Sequence, residues 1–212
     1  MAILLLFAIS AFAQNDVHKI AEAVDQHYNH LESLQTAFSE SYQGAGIGRI
    51  ESGTLWLKRP GKMRWEYHQP REKLFVSDGK TAWFYVPGDQ QARKTPAKKL
   101  DDLRSPLRYL LGKTKLEKEF AGLSLAPDAL ASTPGDVVLR GVPKNMADRV
   151  SQVLLEITPE HRIRRVVIEE VDGAVTEFRF SEQQENVSIA EERFRFRPPP
   201  AVETIESQDL AP

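Results

Sequence analysis

The sequence predicts a mainly β protein of the α+β class: one large, curved antiparallel sheet with a few helices against one face. Three observations predict it. Hydrophobic spacing changes from helical to period two near Arg49 and keeps that period through Val86. Asp78-Gly79 and Asp172-Gly173 each stand between β-prone runs, and an Asp-Gly pair tolerates the positive φ that tight hairpins need. The order of elements is helix, strands, short helix, strands, which is not the βαβ alternation of a parallel sheet.

Asp16 to about Ser33 reads as an amphipathic helix, with Val17, Ile20, Ala21, Val24, Tyr28 and Leu31 at helical spacing. Phe38 to Gln43 is extended, and Gly44-Ala45-Gly46-Ile47-Gly48 is a turn. That glycine run lacks the strand-turn-helix setting of a phosphate loop. Ile50–Trp56 leads into a Pro60-Gly61 corner, after which Met63, Trp65 and Tyr67 share one face. Leu74–Val76 and Trp83–Tyr85 flank Ser77-Asp78-Gly79-Lys80; a two-residue loop centred on Asp78-Gly79 sets Leu74 opposite Trp83 and Val76 opposite Thr81.

Pro87 to Leu103 is polar and lysine-rich, read as a loop or an edge held out of pairing. Ser105-Pro106 opens a very short helix that Gly112 closes, with Leu107, Leu110 and Leu111 inside it. So short a helix persists only when docked. Ala126 to Pro134 is a second soft segment. Strands are then expected at Val137–Leu139, Val153–Ile157, Ile163–Val171 and Val175–Phe180. Asn186–Glu191 reads as a linker helix, and Phe194–Phe196 as a last strand stopped by Pro198-Pro199-Pro200.

The chain has 212 residues, a formal charge of -2 and no cysteine. Disulfides, thiolate metal sites and thiol nucleophiles are excluded, and no basic excess argues for nucleic acid. Met1 to Phe12 is almost wholly apolar and Ala11-Phe12-Ala13 fits a signal-peptidase site. Residues 1–13 are therefore expected to be a cleaved secretory signal and 14–212 one exported domain. The apolar run is too short to span a bilayer.

Catalytic chemistry has no positive signal. His27 and His30 lie three apart on the first helix without a third ligand at a telling spacing, and His68 and His161 lie beside turns. No nucleophile elbow or zinc-protease motif occurs. Glu169, Glu170, Glu177 and Arg179 read as cross-strand or solvated charges. What stands out is apolar surface on both sides of strands, as in Trp83-Phe84-Tyr85 and Leu55-Trp56-Leu57. A sheet with one wet face does not show this repeatedly. A sandwich, a covering lid, or a cavity for something apolar each explains it.

The stretch "GTLWLKRPGKMRWEYHQPREKLFVSDGKTAWFYVP" closely resembles the LolA family of periplasmic lipoprotein carriers. The likeness runs through Gly53, Leu55-Trp56, Lys58-Arg59-Pro60, Trp65, Pro70, Val76 to Lys80 and Trp83-Phe84-Tyr85. Ser105 to Leu111 is similar to the family's lid helix, and "FRFRPPPAV" to its ending. The resemblance implies a half-open antiparallel barrel of about ten to eleven strands, closed by short helices over a hydrophobic cavity.

It further implies that Arg59 locks the lid by hydrogen bonds, and that Trp56, Met63, Trp65, Tyr67, Phe75, Trp83, Tyr85, Phe178 and Phe180 line the acyl-chain cavity. Leu107, Leu110 and Leu111 would move with the lid. The implied partners are acylated lipoproteins as cargo, an inner-membrane ABC exporter and, where present, an outer-membrane receptor. A monomer with no cofactor and no catalytic residue is expected. Carriage of another lipid or glycolipid, or a lipid-sensing scaffold, are the alternatives on the same fold.

Overall fold

Alternating β-prone sequence dominates the chain, and the described residues form twelve strands. A computed structural model describes residues 3–100, 110 and 115–207, with side chains from Asp16 onward and that of Leu100 excepted. The elements are α1 (Ile3–His30), β1 (Ser33–Gly44), β2 (Ile47–Lys58), β3 (Lys62–Gln69), β4 (Lys73–Asp78), β5 (Thr81–Tyr85) and β6 (Gln91–Pro96). They continue with α2 (Leu116–Glu119), β7 (Phe120–Leu125), β8 (Val137–Pro143), β9 (Val150–Ile157), β10 (Ile163–Glu170), β11 (Val175–Glu185) and β12 (Glu203–Glu206). The strand order is β12-β6-β5-β4-β3-β2-β1-β11-β10-β9-β8-β7. Among the described residues no helix is long and apolar enough to cross a membrane. The chain divides into two compact units: Met1–His30, Tyr42–Gly48 and Gly112–Arg179 form one, and Leu31–Ser41, Arg49–Leu111 and Phe180–Pro212 the other.

In the first unit the apolar stripe of α1, Val17, Ala21, Val24 and Tyr28, is buried. The Tyr28 hydroxyl accepts the Ile163 amide at 2.8 Å. Leu139, Leu155, Val166 and Phe178 stand side by side across β8, β9, β10 and β11, and all are buried. On the other face of these strands Glu156 is buried, and its carboxylate accepts the Ser132 amide at 2.7 Å, the Ser132 hydroxyl at 2.6 Å and Arg165 Nε at 2.6 Å. Arg165 also donates to the Leu130 carbonyl at 2.7 Å. The soft segment Ala126 to Pro134 is thus tied down by a buried ion pair rather than by a strand.

Asp25 on α1 accepts the Leu116 amide at 3.1 Å on both oxygens, so its carboxylate caps the start of α2. Burial raises its pKa to about 6, against the lowering by that amide and Lys115. An acid whose folded pKa lies above its unfolded value binds more protons when folded, so its contribution weakens as pH rises between 3.8 and about 6. Asp25→Asn should remove that slope. Urea midpoints across the interval should fall with pH in the natural chain relative to the variant; parallel curves would show that Asp25 titrates normally.

In the second unit the register fixes two faces. Leu57, Met63, Ser77, Ala82 and Thr95 form one row on the first face, and Leu55, Trp65, Phe75, Phe84 and Arg93 the next. Tyr67 and Lys73 stand opposite one another beyond them. The second face carries Trp56, Arg64, Val76, Trp83 and Lys94, then Thr54, Glu66, Leu74 and Tyr85.

Several expectations change. The helix ends at His30, and Ser33 already opens β1. Leu74 pairs with Tyr85 and Val76 with Trp83. The loop is therefore Gly79-Lys80, one residue later than expected. Gly79 takes φ +89°, and the Asp78 carboxylate accepts the Lys80 and Thr81 amides at 2.8 Å, so Asp78 precedes the loop instead of occupying it. The lysine-rich stretch is not held out of the sheet: β6 pairs with β5 and, in parallel, with β12. No helix forms over Asn186–Ala190; a 3₁₀ turn begins only at Glu191 and ends at Phe194. Phe194–Phe196 is not a strand, and the last strand lies beyond the prolines at Glu203–Glu206. β7 is a strand that its short mixed sequence did not announce. Of the short helix expected at 105–112, only Leu110 lies within the described residues.

Candidate functional site

The candidate cavity residues do not share one face. Met63, Trp65, Tyr67 and Phe75 lie on the first face of the second unit, whereas Trp56, Trp83 and Tyr85 lie on the second. The cause is period two: Trp56 has the opposite parity to Leu55 and Leu57, and Trp83 and Tyr85 to Phe84. Phe178 belongs to the buried row of the first unit. Phe180 is buried and falls in the second unit's part of β11.

The second face is covered by the chain itself. Trp56 packs with Ile189, Phe194 and Val187, and the Arg193 guanidinium lies 4.3 Å from the Trp56 ring centre. Phe196 meets both Trp83 and Tyr85 at 5.5 Å between ring centres. Polar contacts fasten the segment: Arg64 donates to the Arg193 carbonyl at 2.9 Å, Lys58 to the Ile189 carbonyl at 2.7 Å, and Lys58 and Lys62 both reach Glu191. The two ammonium groups hold the Glu191 carboxyl down, to about 2. Trp56 is therefore buried, and Trp83 and Tyr85 half-buried, against the segment 187–196.

The first face is the more continuous apolar surface. Phe38 of β1 meets Trp65 and Tyr67 edge-on at 4.7 and 5.0 Å. Leu55, Leu57, Phe38 and Phe84 join the expected residues there; parity alone could have found the two leucines and Phe84 once the loop was placed. At one end a cleft is lined by Leu31, Leu34, Leu57, Lys58, Arg59 and Leu110, among others. Leu110 is buried, and the Arg59 amide donates to the Glu32 carbonyl at 2.9 Å. Arg59 and Leu110 are thus brought to one cleft. Leu107 and Leu111 lie outside the described residues.

At the other end stands a knot of charges. The Tyr67 hydroxyl donates to Glu40 at 2.9 Å, Arg49 lies 3.7 Å from Glu40 and 3.0 Å from Glu51, and Lys73 reaches Glu51 at 2.7 Å. The Lys73 ammonium also lies 4.3 Å from the centre of the Tyr67 ring. Glu40 and Glu51 are buried. Burial pushes the Glu40 carboxyl up, partly opposed by the Tyr67 hydroxyl, and burial together with Glu40 pushes the Tyr67 phenol up.

His30 engages the Gln26 carbonyl at 2.6 Å and His27 lies edge-on to Tyr28. Among the described residues no three His, Asp or Glu side chains could hold a metal ion.

A large, mainly antiparallel sheet with buried apolar side chains on both faces has solved relatives of the same fold. Mycobacterium tuberculosis lipoprotein LppX shares it at a TM-score of 0.55 and 12% identity, over 83% of this chain and 98% of that one. A conserved protein from Thermus thermophilus shares it at 0.54 and 15%, over 89% and 98%. The chain belongs to the LolA family: the model described as outer membrane lipoprotein carrier protein LolA matches residues 29–197. Proteins named outer-membrane lipoprotein carrier protein are similar along most of its length. That of Nitrosospira multiformis is 34% identical over 162 residues, 75% of this chain and 74% of its own. That of Cronobacter sakazakii is 27% identical over 209 residues, 98% and 95% respectively.

Proposed function

We infer that this protein is a periplasmic carrier, not an enzyme, that takes up the acyl chains of lipoproteins leaving the inner membrane and passes them to the outer membrane. Membership of the LolA family across residues 29–197 carries the reading. The physics of the first face supports it. An acyl chain in water costs about 0.8 kcal/mol per exposed CH₂, and Leu55, Leu57, Met63, Trp65 and Phe75 form an apolar, largely buried face of matching chemistry. Phe180, buried in the second unit's part of β11, adds to the apolar lining. Leu110, buried in the cleft beside Arg59, belongs to the lid that gives way to cargo.

Arg59 is the lock. A guanidinium offers five donors in a rigid fork, enough to satisfy several helix-end carbonyls. Charged hydrogen bonds of this kind contribute roughly 1.5–3 kcal/mol, small enough for cargo to offset. Loading is by an inner-membrane ABC exporter and unloading is onto an outer-membrane receptor where one exists. The protein acts as a monomer after removal of residues 1–13.

The test is native mass spectrometry of the protein purified from periplasm, with Arg59→Leu alongside. Arg59→Leu should hold an acylated polypeptide, retained about tenfold to a hundredfold more tightly if the lock contributes the energy above. A bound glycolipid would keep the site and change the cargo. An empty Arg59→Leu from cells making both exporter and lipoproteins would overturn the reading.

A further inference from the structure

We propose that the charge knot of Glu40, Tyr67, Arg49, Glu51 and Lys73 is an end wall that sets the longest acyl chain the first face accepts. This rests on the carrier reading. Along β3 the first face runs from Met63 through Trp65 to Tyr67, beginning beside the cleft at Leu57 and Arg59 and ending at the knot. Those four residue steps span about 13 Å at the usual strand rise. The apolar character stops abruptly. Phe75, opposite Trp65, is followed on the same face by Lys73, opposite Tyr67. Phe38 is followed by Glu40, whose carboxylate accepts the Tyr67 hydroxyl at 2.9 Å.

Leu57, Trp65 and Phe75 are apolar and buried, so an alkyl terminus lying over them meets no charge. To pass Tyr67 it must part Lys73 from Glu51, 2.7 Å away, and Tyr67 from Glu40. Both carboxylates are buried, so no water replaces the lost partner, and separation is opposed by the full desolvation of a charge. The groups satisfy one another and leave the wall with no polar function toward a ligand. The knot also balances, two carboxylates against one guanidinium and one ammonium, so it attracts no headgroup of either sign.

The measurement is calorimetric binding of one water-soluble peptide N-acylated with saturated chains of increasing length, each below its micellar concentration. For the natural protein, affinity should climb about fourfold per added CH₂ and then level off at a defined length. Glu51→Leu combined with Lys73→Met removes one ion pair together and leaves Glu40 with Tyr67 and Arg49. It should move the plateau to longer chains while leaving short-chain affinity unchanged. Affinity that climbs without a plateau in the natural protein would overturn the wall, whether or not the double variant folds. An unmoved plateau in a folded double variant would overturn it also. Failure of every acyl peptide to bind would instead overturn the carrier reading on which the wall depends.

Discussion

Arg165→Met should lower the stability of the protein by about 3–5 kcal/mol, the usual consequence of stranding one member of a buried ion pair. The Glu156 side chain is fully buried and Arg165 Nε lies 2.6 Å from it. Without the guanidinium, Glu156 keeps the Ser132 amide and hydroxyl but loses its neutralising charge, and the Leu130 carbonyl loses its donor. The segment Ala126 to Pro134 should loosen with it. Burial alone would raise the Glu156 pKa, but the Ser132 hydrogen bonds and Arg165 together hold the carboxyl below its ordinary 4.5. A depressed carboxylate contributes stability above 4.5 that is lost as pH falls through its folded pKa. Urea unfolding at neutral pH checks the size, and hydrogen exchange of residues 126–136 checks the location. Glu156→Leu with Arg165→Met should recover most of the loss, but not all, because Ser132 is left without an acceptor. An Arg165→Met protein as stable as the natural one would show that Glu156 is neutral or hydrated.

Gly53→Ala should cost about 3 kcal/mol, at the upper end for an overpacked site. A Cβ at Gly53 would lie 1.9 Å from the Glu66 carbonyl oxygen, 2.8 Å from its carbon and 2.9 Å from the Tyr67 Cα. All three are backbone atoms, so no rotamer relieves the contact. The register shifts at this point, Ser52 facing Gln69 and Gly53 facing Tyr67, and the bulge draws the two backbones together. Relief requires parting β2 from β3 where Tyr67 anchors Glu40. A drop in urea midpoint at unchanged slope is the expected result. Unchanged stability would mean that the bulge opens freely.

Fold class was legible because most strands announce themselves locally. β10 and β11 alternate or run apolar on either side of Asp172-Gly173, and Gly173 takes φ +88°. What local pattern lacked was phase. Trp83-Phe84-Tyr85 has an aromatic at every position, so nothing in it says which ring faces which side. That is settled by the Gly79-Lys80 loop, and moving the loop by one residue moves every partner on β5. Segment 187–196 was misread for another reason. Its Phe194 and Phe196 resemble strand positions, yet they serve as covers for Trp56, Trp83 and Tyr85 rather than as members of the ladder. The charge knot was invisible because Glu40, Tyr67 and Lys73 come from β1, β3 and β4 and only Arg49 and Glu51 share a strand, so register brings them together.

The two ends of the strand order bear on whether copies of the protein stick to one another. A long ladder exposes unpaired amides at its outermost strands, and such rows template polymerisation. Here β12 is only four residues long and carries Glu203 and Glu206. β7 is broken by a register shift between Ala121 and Ser124, with Gly122 at φ +64° inside it. A second chain finds a short, acidic edge at one end and an interrupted one at the other. Among the described residues, then, both ends of the twelve-strand order are poor templates for further pairing.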